Sequence, residues 1–297
     1  ALLFAEQWAR RKQRFHAGRG SQMKVRPPRV RLAGWRAGLA LGAVLLPVAA
    51  GFGIPVFVFG QYAVRRIDRL FDPALGAAFL NSVITAAATA CITILAALLI
   101  TYATRLSRTR GVGLMARLAT LGYALPGTIL GLGLLFALAR IDNSVDALAR
   151  AHLGWSTGLL LSGSVAAVVL ACSIRFLALA EGSIRSGLEK LPPHLDEAAR
   201  SLGRTPAGSA IAVLLPLLGP AIFAAAVLVF VDTIKELSAT ILLRPFGFNT
   251  LATHVYENAS RGVVEDGAIA ALVIIVTSLV PVALLSRALI GDREASL

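Results

Sequence analysis

Residues 195–206 read Leu195-Asp196-Glu197-Ala198-Ala199-Arg200-Ser201-Leu202-Gly203-Arg204-Thr205-Pro206. Four apolar residues recur there at helical spacing and predict one apolar face, namely Leu195, Ala198, Ala199 and Leu202. Gly203 can adopt the left-handed conformation that ends a helix. Thr205 followed by Pro206 is typical of an N-cap and a first helical turn. The pattern therefore predicts a short amphipathic helix followed at once by a second helix.

The second helix is predicted to cross a membrane. It carries no charged residue from Ala207 to Val231, and about 20 apolar residues suffice for a span. The whole chain of 297 residues is 57% hydrophobic and only 15% charged, with a mean hydropathy of +0.75. Soluble domains are usually about 45–50% apolar. We therefore expect an all-α protein that crosses the membrane several times.

Six apolar segments have the length of a span. We place them at residues 37–63, 78–104, 113–139, 156–180, 208–234 and 264–287. With the N-terminus inside, most Lys and Arg residues fall on the cytoplasmic side, as the positive-inside rule requires. The net charge of +13 is explained by this rule, because no aromatic residues interleave with the basic ones as they do in nucleic-acid-binding proteins. Both termini and residues 195–206 are then expected to be cytoplasmic.

The sequence offers no catalytic, metal or cofactor site. Cys91 and Cys172 lie within apolar runs, so neither a disulfide framework nor a thiolate metal site is indicated. The histidines are scattered, and the glycine-rich nucleotide-binding loop is missing, as are the zinc-protease and serine-hydrolase motifs. We expect a chain that is not an enzyme and that binds no nucleic acid, metal or cofactor of its own.

The segment around residue 197 resembles the cytoplasmic loop of binding-protein-dependent ABC importer permeases. The family pattern is Glu-Ala-Ala, then three residues and a Gly, then eleven residues and Leu-Pro. The matching residues here are Glu197, Ala198, Ala199, Gly203, Leu215 and Pro216. The resemblance implies a six-helix permease domain whose short loop helix, the coupling helix, contacts two separate ATPase subunits that use the ATP. It also implies a substrate-binding protein at the outer face, a second permease half and a location in the bacterial inner membrane.

Three charged residues near the outer end of the fifth predicted span form a candidate gate or pathway. They are Asp232, Lys235 and Glu236, and a helix would place all three on one face, where Lys235 could pair with either acid. Charged groups at membrane depth are costly and usually functional. An ion pair that merely ends the span is the other interpretation.

The segment that follows resembles ferric-iron permeases of the same superfamily. The similar residues run from Lys235 through Leu243-Arg244-Pro245-Phe246-Gly247-Phe248 to Thr250-Leu251-Ala252. Asn81, Ser82 and Pro126 also match family positions. We expect an outer docking or gate segment that includes Phe246, Phe248, His254 and Tyr256. Direct iron ligation is disfavoured, because His254 and Tyr256 are two positions apart and point to different helix faces.

The resemblance implies ferric iron as the substrate and leaves alternatives open. Thiamine, a phosphonate, a polyamine or sulfate could be the solute of the same kind of importer. An ion-driven secondary transporter is a different class, but inverted repeats are not evident in the sequence. Ferric-iron permeases of this kind usually carry two halves. We therefore interpret 1–36 as a basic linker from a preceding half, 37–290 as the permease domain and 291–297 as a cytoplasmic tail.

Overall fold

The computed structural model describes residues 33–107, 109–192, 195–201 and 203–294, and the side chains of these except Arg110, Asp196, Glu197, Arg200 and residues 288–294. Most of the predicted linker 1–36 and the last residues of the predicted tail lie outside these ranges. The chain forms two compact units, divided between Phe52 and Gly53. The described part of the first unit is helix α1 (Trp35–Val48) and most of a π-helical turn, Ala49–Gly53.

All the regular elements of the second unit in the described ranges are helical. They are α2 (Ile54–Arg65), α3 (Pro73–Leu106), α4 (Arg110–Ala119), α5 (Gly127–Leu153), α6 (Val165–Leu188), α7 (Leu195–Ser201), α8 (Pro206–Ser209), α9 (Leu215–Leu217), α10 (Gly219–Ile234), α11 (Thr240–Leu243), α12 (Leu251–Ser260) and α13 (Ala268–Glu294). Short 3₁₀ turns cover Ile67–Phe71, Thr120–Ala124 and Val264–Gly267, and a π-helical turn covers Ala210–Leu214.

The core lies where α3, α6 and α10 pack together. Most of the buried residues that these three helices contribute have small side chains. They include Ala90, Ala97, Ala167, Ala171, Cys172, Ala180, Ala225 and Val229. Association in lipid relies on close packing, because the lipid tails are as apolar as the helix surfaces. Small side chains allow this close approach.

Five helical segments are long and apolar enough to span a membrane, and a bent pair makes a sixth. The predicted span at 113–139 is wrong, because the chain breaks at Leu125 and Pro126 and the span is Gly127–Leu153. Proline disfavours helical backbone in the residue before it, so α5 can begin only after this pair. Pro126 therefore precedes the third span instead of bending its interior.

The fourth span begins later than predicted, at Val165 instead of residue 156. Gly154, with φ 71°, ends α5, and the loop that follows is held by two carboxylates of that helix. Asp142 accepts hydrogen bonds from the backbone N–H groups of Leu161 (3.0 Å) and Ser162 (2.7 Å). Asp146 accepts from Thr157 N–H and from the Ser156 hydroxyl. These bonds compete with helical backbone before Val165.

The fifth span is not one continuous helix. The segments Pro206–Leu217 and Gly219–Ile234 meet at an angle of 72°. Pro216 and Pro220 lack the N–H that a helix interior needs, so each removes a backbone hydrogen bond at the bend. The widened π-helical turn Ala210–Leu214 directly precedes α9. The uncharged segment from Ala207 to Val231 is therefore helical in two limbs that meet at a bend.

Candidate functional site

The predicted short amphipathic helix is present as α7 and ends as its sequence indicates. Gly203 has φ 84°, the left-handed conformation that glycine adopts without strain. The backbone N–H of Arg204 donates to the carbonyl of Ala199 at 3.2 Å. The next helix begins at Pro206, where the Thr205 side chain accepts a hydrogen bond from Gly208 N–H at 3.1 Å. The stop at Gly203 and the cap at Thr205 are confirmed.

The apolar face of α7 is only partly covered. Ala199 is buried and Leu195 is half-buried, but Ala198 is exposed. The helix is one of the shortest and contacts α8 and the π-helical turn after it, so a single strip of its surface is covered. The side chain of Glu197 and all of Leu202 lie outside the described part of the chain. α7 therefore presents uncovered surface next to the start of the bent span.

The remaining two residues of the loop pattern lie in α9, directly after the π-helical turn. Leu215 and Pro216 are exposed, whereas Leu214 and Leu218 are buried in the core. An apolar cavity of about 360 Å³ lies beside this turn, between α3, α6 and the bent span. At the start of the span, the Tyr102 hydroxyl of α3 donates to the carbonyl of Pro206. The pattern thus covers α7 and the irregular backbone that follows it.

The candidate gate residues separate into two groups. Lys235 Nζ lies 2.7 Å from Asp232 Oδ1, which confirms that this pair can form, and Lys235 is exposed. Glu236 does not share that face, because α10 ends at Ile234 and the backbone turns. The Glu236 side chain is only 7% exposed and pairs with Arg175 of α6. The expectation of one common face was therefore wrong for Glu236.

Arg175 is a functional candidate that the sequence analysis missed. Arg175 is the single charged residue of the predicted fourth span, residues 156–180. A lone charge inside an apolar span was therefore the signal available in the sequence. Arg175 Nη1 donates to both carboxylate oxygens of Glu236, at 2.8 and 2.7 Å. Its guanidinium also lies 5.7 Å from the ring centroid of Phe176. The ion pair links α6 to the end of α10.

The predicted outer segment begins with a tight turn. Phe248 N–H donates to the Pro245 carbonyl at 3.1 Å, and Gly247 has φ 77°. This turn projects Phe246 entirely into the surroundings, whereas Phe248 is half-buried. A fully exposed aromatic side chain is available for contact with another molecule.

His254 and Tyr256 lie on different faces of α12, as expected from their spacing. His254 lines a polar cavity of about 360 Å³, and Tyr256 is exposed outside that lining. The cavity is also lined by charged and amide side chains, including Arg69 and Asp72 before α3, Glu257 and Asn258 of α12, and Asp266. Among the described residues, no three His, Cys, Asp or Glu side chains are grouped as metal ligands.

Helix α12 is anchored to α3 by two polar residues. Ser82 Oγ accepts a hydrogen bond from Leu251 N–H at 2.7 Å, and Asn81 Nδ2 donates to the Asn249 carbonyl at 3.0 Å. The N-terminus of α12 carries a capping box of Thr250 and Thr253. Asn81 and Ser82, singled out by resemblance alone, thus fix the outer segment in place.

A second set of contacts folds the outer segment onto itself. Arg244 donates to Glu257 and to the Phe248 carbonyl, and Asn249 donates to Glu257. The hydrogen bond from Arg244 lowers the pKa of the Glu257 carboxyl below its ordinary value of 4.5, although partial burial opposes this. Glu257 is therefore held as a carboxylate, and it ties α12 to the turn at residues 245–248.

Curated relatives are transport permeases for different solutes. The chain is 27% identical over 291 residues to the Fe(3+)-transport system permease protein FbpB 2 of Haemophilus influenzae, which covers 96% of this chain and 54% of that protein. It is 29% identical over 222 residues to the putrescine transport system permease PotI of Escherichia coli, covering 74% of this chain and 75% of that one.

A putative 2-aminoethylphosphonate transport system permease, PhnV of Salmonella typhimurium, is 27% identical over 164 residues. That match covers 55% of this chain and 56% of the relative. The chain spans about half the length of the ferric-iron and phosphonate relatives.

The fold is similar to that of a solved bacterial ABC transporter involved in the import of alginate. The TM-score is 0.68 at 14% identity, covering 85% of this chain and 94% of the other. The model of the family described as "binding-protein-dependent transport system inner membrane component" matches residues 94–294, which include α5 to α13 and the loop pattern. The chain is a multi-pass, all-α membrane protein that belongs to this family of ABC importer permeases.

Proposed function

We propose that this chain is the membrane permease of an ATP-driven importer for ferric iron, delivered by a periplasmic or surface binding protein. The choice of ferric iron as the substrate rests on the similarity to the ferric-iron permease of Haemophilus influenzae, which extends over 96% of the chain. The shorter similarities to putrescine and 2-aminoethylphosphonate permeases make those two solutes the second candidates.

ATP is hydrolysed by two separate ATPase subunits, and α7 is the coupling helix that contacts them. In support, α7 is closed by Gly203, is followed directly by the capped start of the bent span, and leaves Ala198 uncovered. A short helix with defined ends can move as a rigid body. Its displacement reaches the bend at Leu218 through α8 and α9.

The pair of Asp232 and Lys235 lines the pathway or its gate. It lies where α10 ends, and a charged pair with a half-buried acid and an exposed lysine at the end of an apolar helix suits a surface that meets the solute or a second permease half. The outer segment with Phe246, Phe248, His254 and Tyr256 docks the binding protein or closes the outer gate. The protein lies in the bacterial inner membrane with both termini in the cytoplasm.

The test is reconstitution of the full-length gene product with its ATPase subunits in vesicles. Labelled ferric iron is supplied on the purified binding protein, and uptake is measured with and without ATP. ATP-dependent uptake of iron that unlabelled putrescine, 2-aminoethylphosphonate, thiamine and sulfate do not reduce is the expected result. Uptake that follows an ion gradient without ATP would overturn the importer assignment, and ATP-driven uptake of another solute would overturn iron.

A further inference from the structure

The Arg175–Glu236 ion pair lies deep within the helix bundle. Arg175 is about 15 Å along α6 from Val165, at a rise of 1.5 Å per residue, and is therefore near the middle of a span that runs from Val165 to Glu189. Charged groups at that depth are costly unless they are paired. The presence of an ion pair at that depth points to a role other than packing.

The pair lies where three helices begin or end: the end of α10, the start of α11 and the start of α5. Glu236 lies just after the end of α10, and its Oε1 also accepts a hydrogen bond from Ala239 N–H at 3.0 Å, next to the start of α11. Arg175 approaches Gly127, the first residue of α5 after the break at Pro126. One ion pair thus connects the ends of α5, α10 and α11 to the middle of α6.

Neighbouring glycines keep the pair in close contact with α5. A Cβ at Gly127 would be 2.1 Å from Arg175 Nη1 and 2.9 Å from Ser238 Cβ. One turn later, a Cβ at Gly131 would be 3.2 Å from Ala239 Cα. The start of α5 is therefore packed directly against the guanidinium and against residues 238–239.

We propose that Arg175 and Glu236 are positioning residues for transport, an inference that rests on the proposed permease function. The pair anchors the C-terminal end of α10 to α6, so that displacement arriving from α7 bends the chain at Leu218. Lys235 precedes Glu236 in the sequence, so the pair also holds Lys235 in place relative to α6. Without the anchor, α10 moves as a whole and ATP hydrolysis no longer drives passage of the solute.

The experiment is a double-mutant cycle on the reconstituted full-length importer with Arg175→Gln, Glu236→Gln and the variant that carries both substitutions. Uptake and ATP hydrolysis stimulated by the binding protein are measured in the same vesicles. We expect each single substitution to lower uptake more than about tenfold, because it leaves an unpaired charge in the interior. The double variant is expected to lose no more than the worse single variant, and ATP hydrolysis is expected to continue in all three.

Independent losses that multiply to about a hundredfold in the double variant would overturn the proposal. ATP hydrolysis that falls in parallel with uptake would also overturn it, since that result indicates a role in folding or assembly alone. Arg175→Lys keeps the positive charge, and because a single nitrogen of Arg175, Nη1, makes both contacts with the Glu236 carboxylate, the lysine variant is expected to retain more uptake than Arg175→Gln. If the neutral variants do not fold, a folded Arg175→Lys variant with uptake at background would overturn the proposal. Arg150→Gln breaks an exposed ion pair with Asp146 and is the matched control, expected to transport normally.

The wild-type protein separates this proposal from the proposed function. If its uptake followed an ion gradient or carried a different solute, the assignment as an ATP-driven iron importer would fail. The same variant cycle, measured on that uptake, would still show whether Arg175 and Glu236 act as one unit.

Discussion

Gly127 stands so close to Arg175 that a Cβ on the glycine would lie 2.1 Å from Nη1 of the arginine. The two residues belong to different helices, α5 and α6, and their contact brings the start of one span against the middle of another. Space at this point is limited to a hydrogen atom, and the contact therefore makes Gly127 a sensitive probe of the ion pair.

Gly127→Ala is expected to push the Arg175 guanidinium away from Glu236. The strain of inserting one methyl group into such a contact is about 1–3 kcal/mol. We expect a lower midpoint of thermal unfolding in detergent and a slower rate of uptake. Gly133→Ala is the matched control on the same helix, because a Cβ there meets nothing within 4 Å. Equal behaviour of the two variants would contradict the tight packing of α5 against Arg175.

Gly203→Val is expected to uncouple transport while the protein still inserts into the membrane. Gly203 has φ 84°, and a side chain in this conformation costs roughly 1–2 kcal/mol. The end of α7 would shift, and binding of the ATPase subunits would weaken. Co-purification of those subunits and uptake in vesicles are the measurements. Gly182→Val, at a helical glycine with open space, is the control. Disappearance of the Gly203 variant from the membrane would argue against the coupling role.

Ser82→Ala is expected to destabilise the outer segment. The Ser82 hydroxyl accepts the buried N–H of Leu251, and without it this group has lost its acceptor at the first turn of α12. An unsatisfied buried donor costs about 1–3 kcal/mol. Thermal unfolding of the purified protein measures the loss. Ser144→Ala, which removes only an exposed bond to the Arg140 carbonyl, should leave the midpoint unchanged. A similar shift in both variants would rule out the anchor.

Acidification is expected to loosen α12 through Glu257. The hydrogen bond from Arg244 lowers the pKa of Glu257 below its ordinary value of 4.5. A carboxyl with a lowered pKa stabilises the folded state above the unfolded-state value, and this contribution is lost as the pH falls through the folded-state value. Glu257→Gln removes the dependence. Thermal midpoints of both proteins between about pH 7 and pH 3 should converge on acidification, and a constant difference would exclude this linkage.

The local features with strong chemical rules could be predicted from sequence. The left-handed stop at Gly203 and the cap at Thr205 are consequences of single residues and their immediate neighbours. The pair of Asp232 and Lys235 follows from helical spacing. The many small residues of the apolar spans also suit the close packing of α3, α6 and α10.

The breaks within apolar segments could not be predicted from hydropathy. The window at 113–139 is mostly apolar, with Arg117 its single charged residue, and Pro126 marks the boundary between the α4 region and α5. The bend near Leu218 likewise lies within an uncharged run. Hydropathy measures the cost of transfer into lipid and is insensitive to backbone geometry. The Arg175–Glu236 pair joins residues 61 positions apart and depends on these breaks.

The 72° bend also affects how the protein fits its bilayer. The limb before Leu218 is about 18 Å long and the limb after it about 24 Å, so neither alone crosses about 30 Å of hydrocarbon. A straight helix must tilt when the bilayer thickness changes. A jointed segment can instead open or close its angle. Bilayer thickness is thus a mechanical input to the same joint that we propose α7 to move. The work that each transport step requires should then differ between vesicles of long-chain and short-chain lipids.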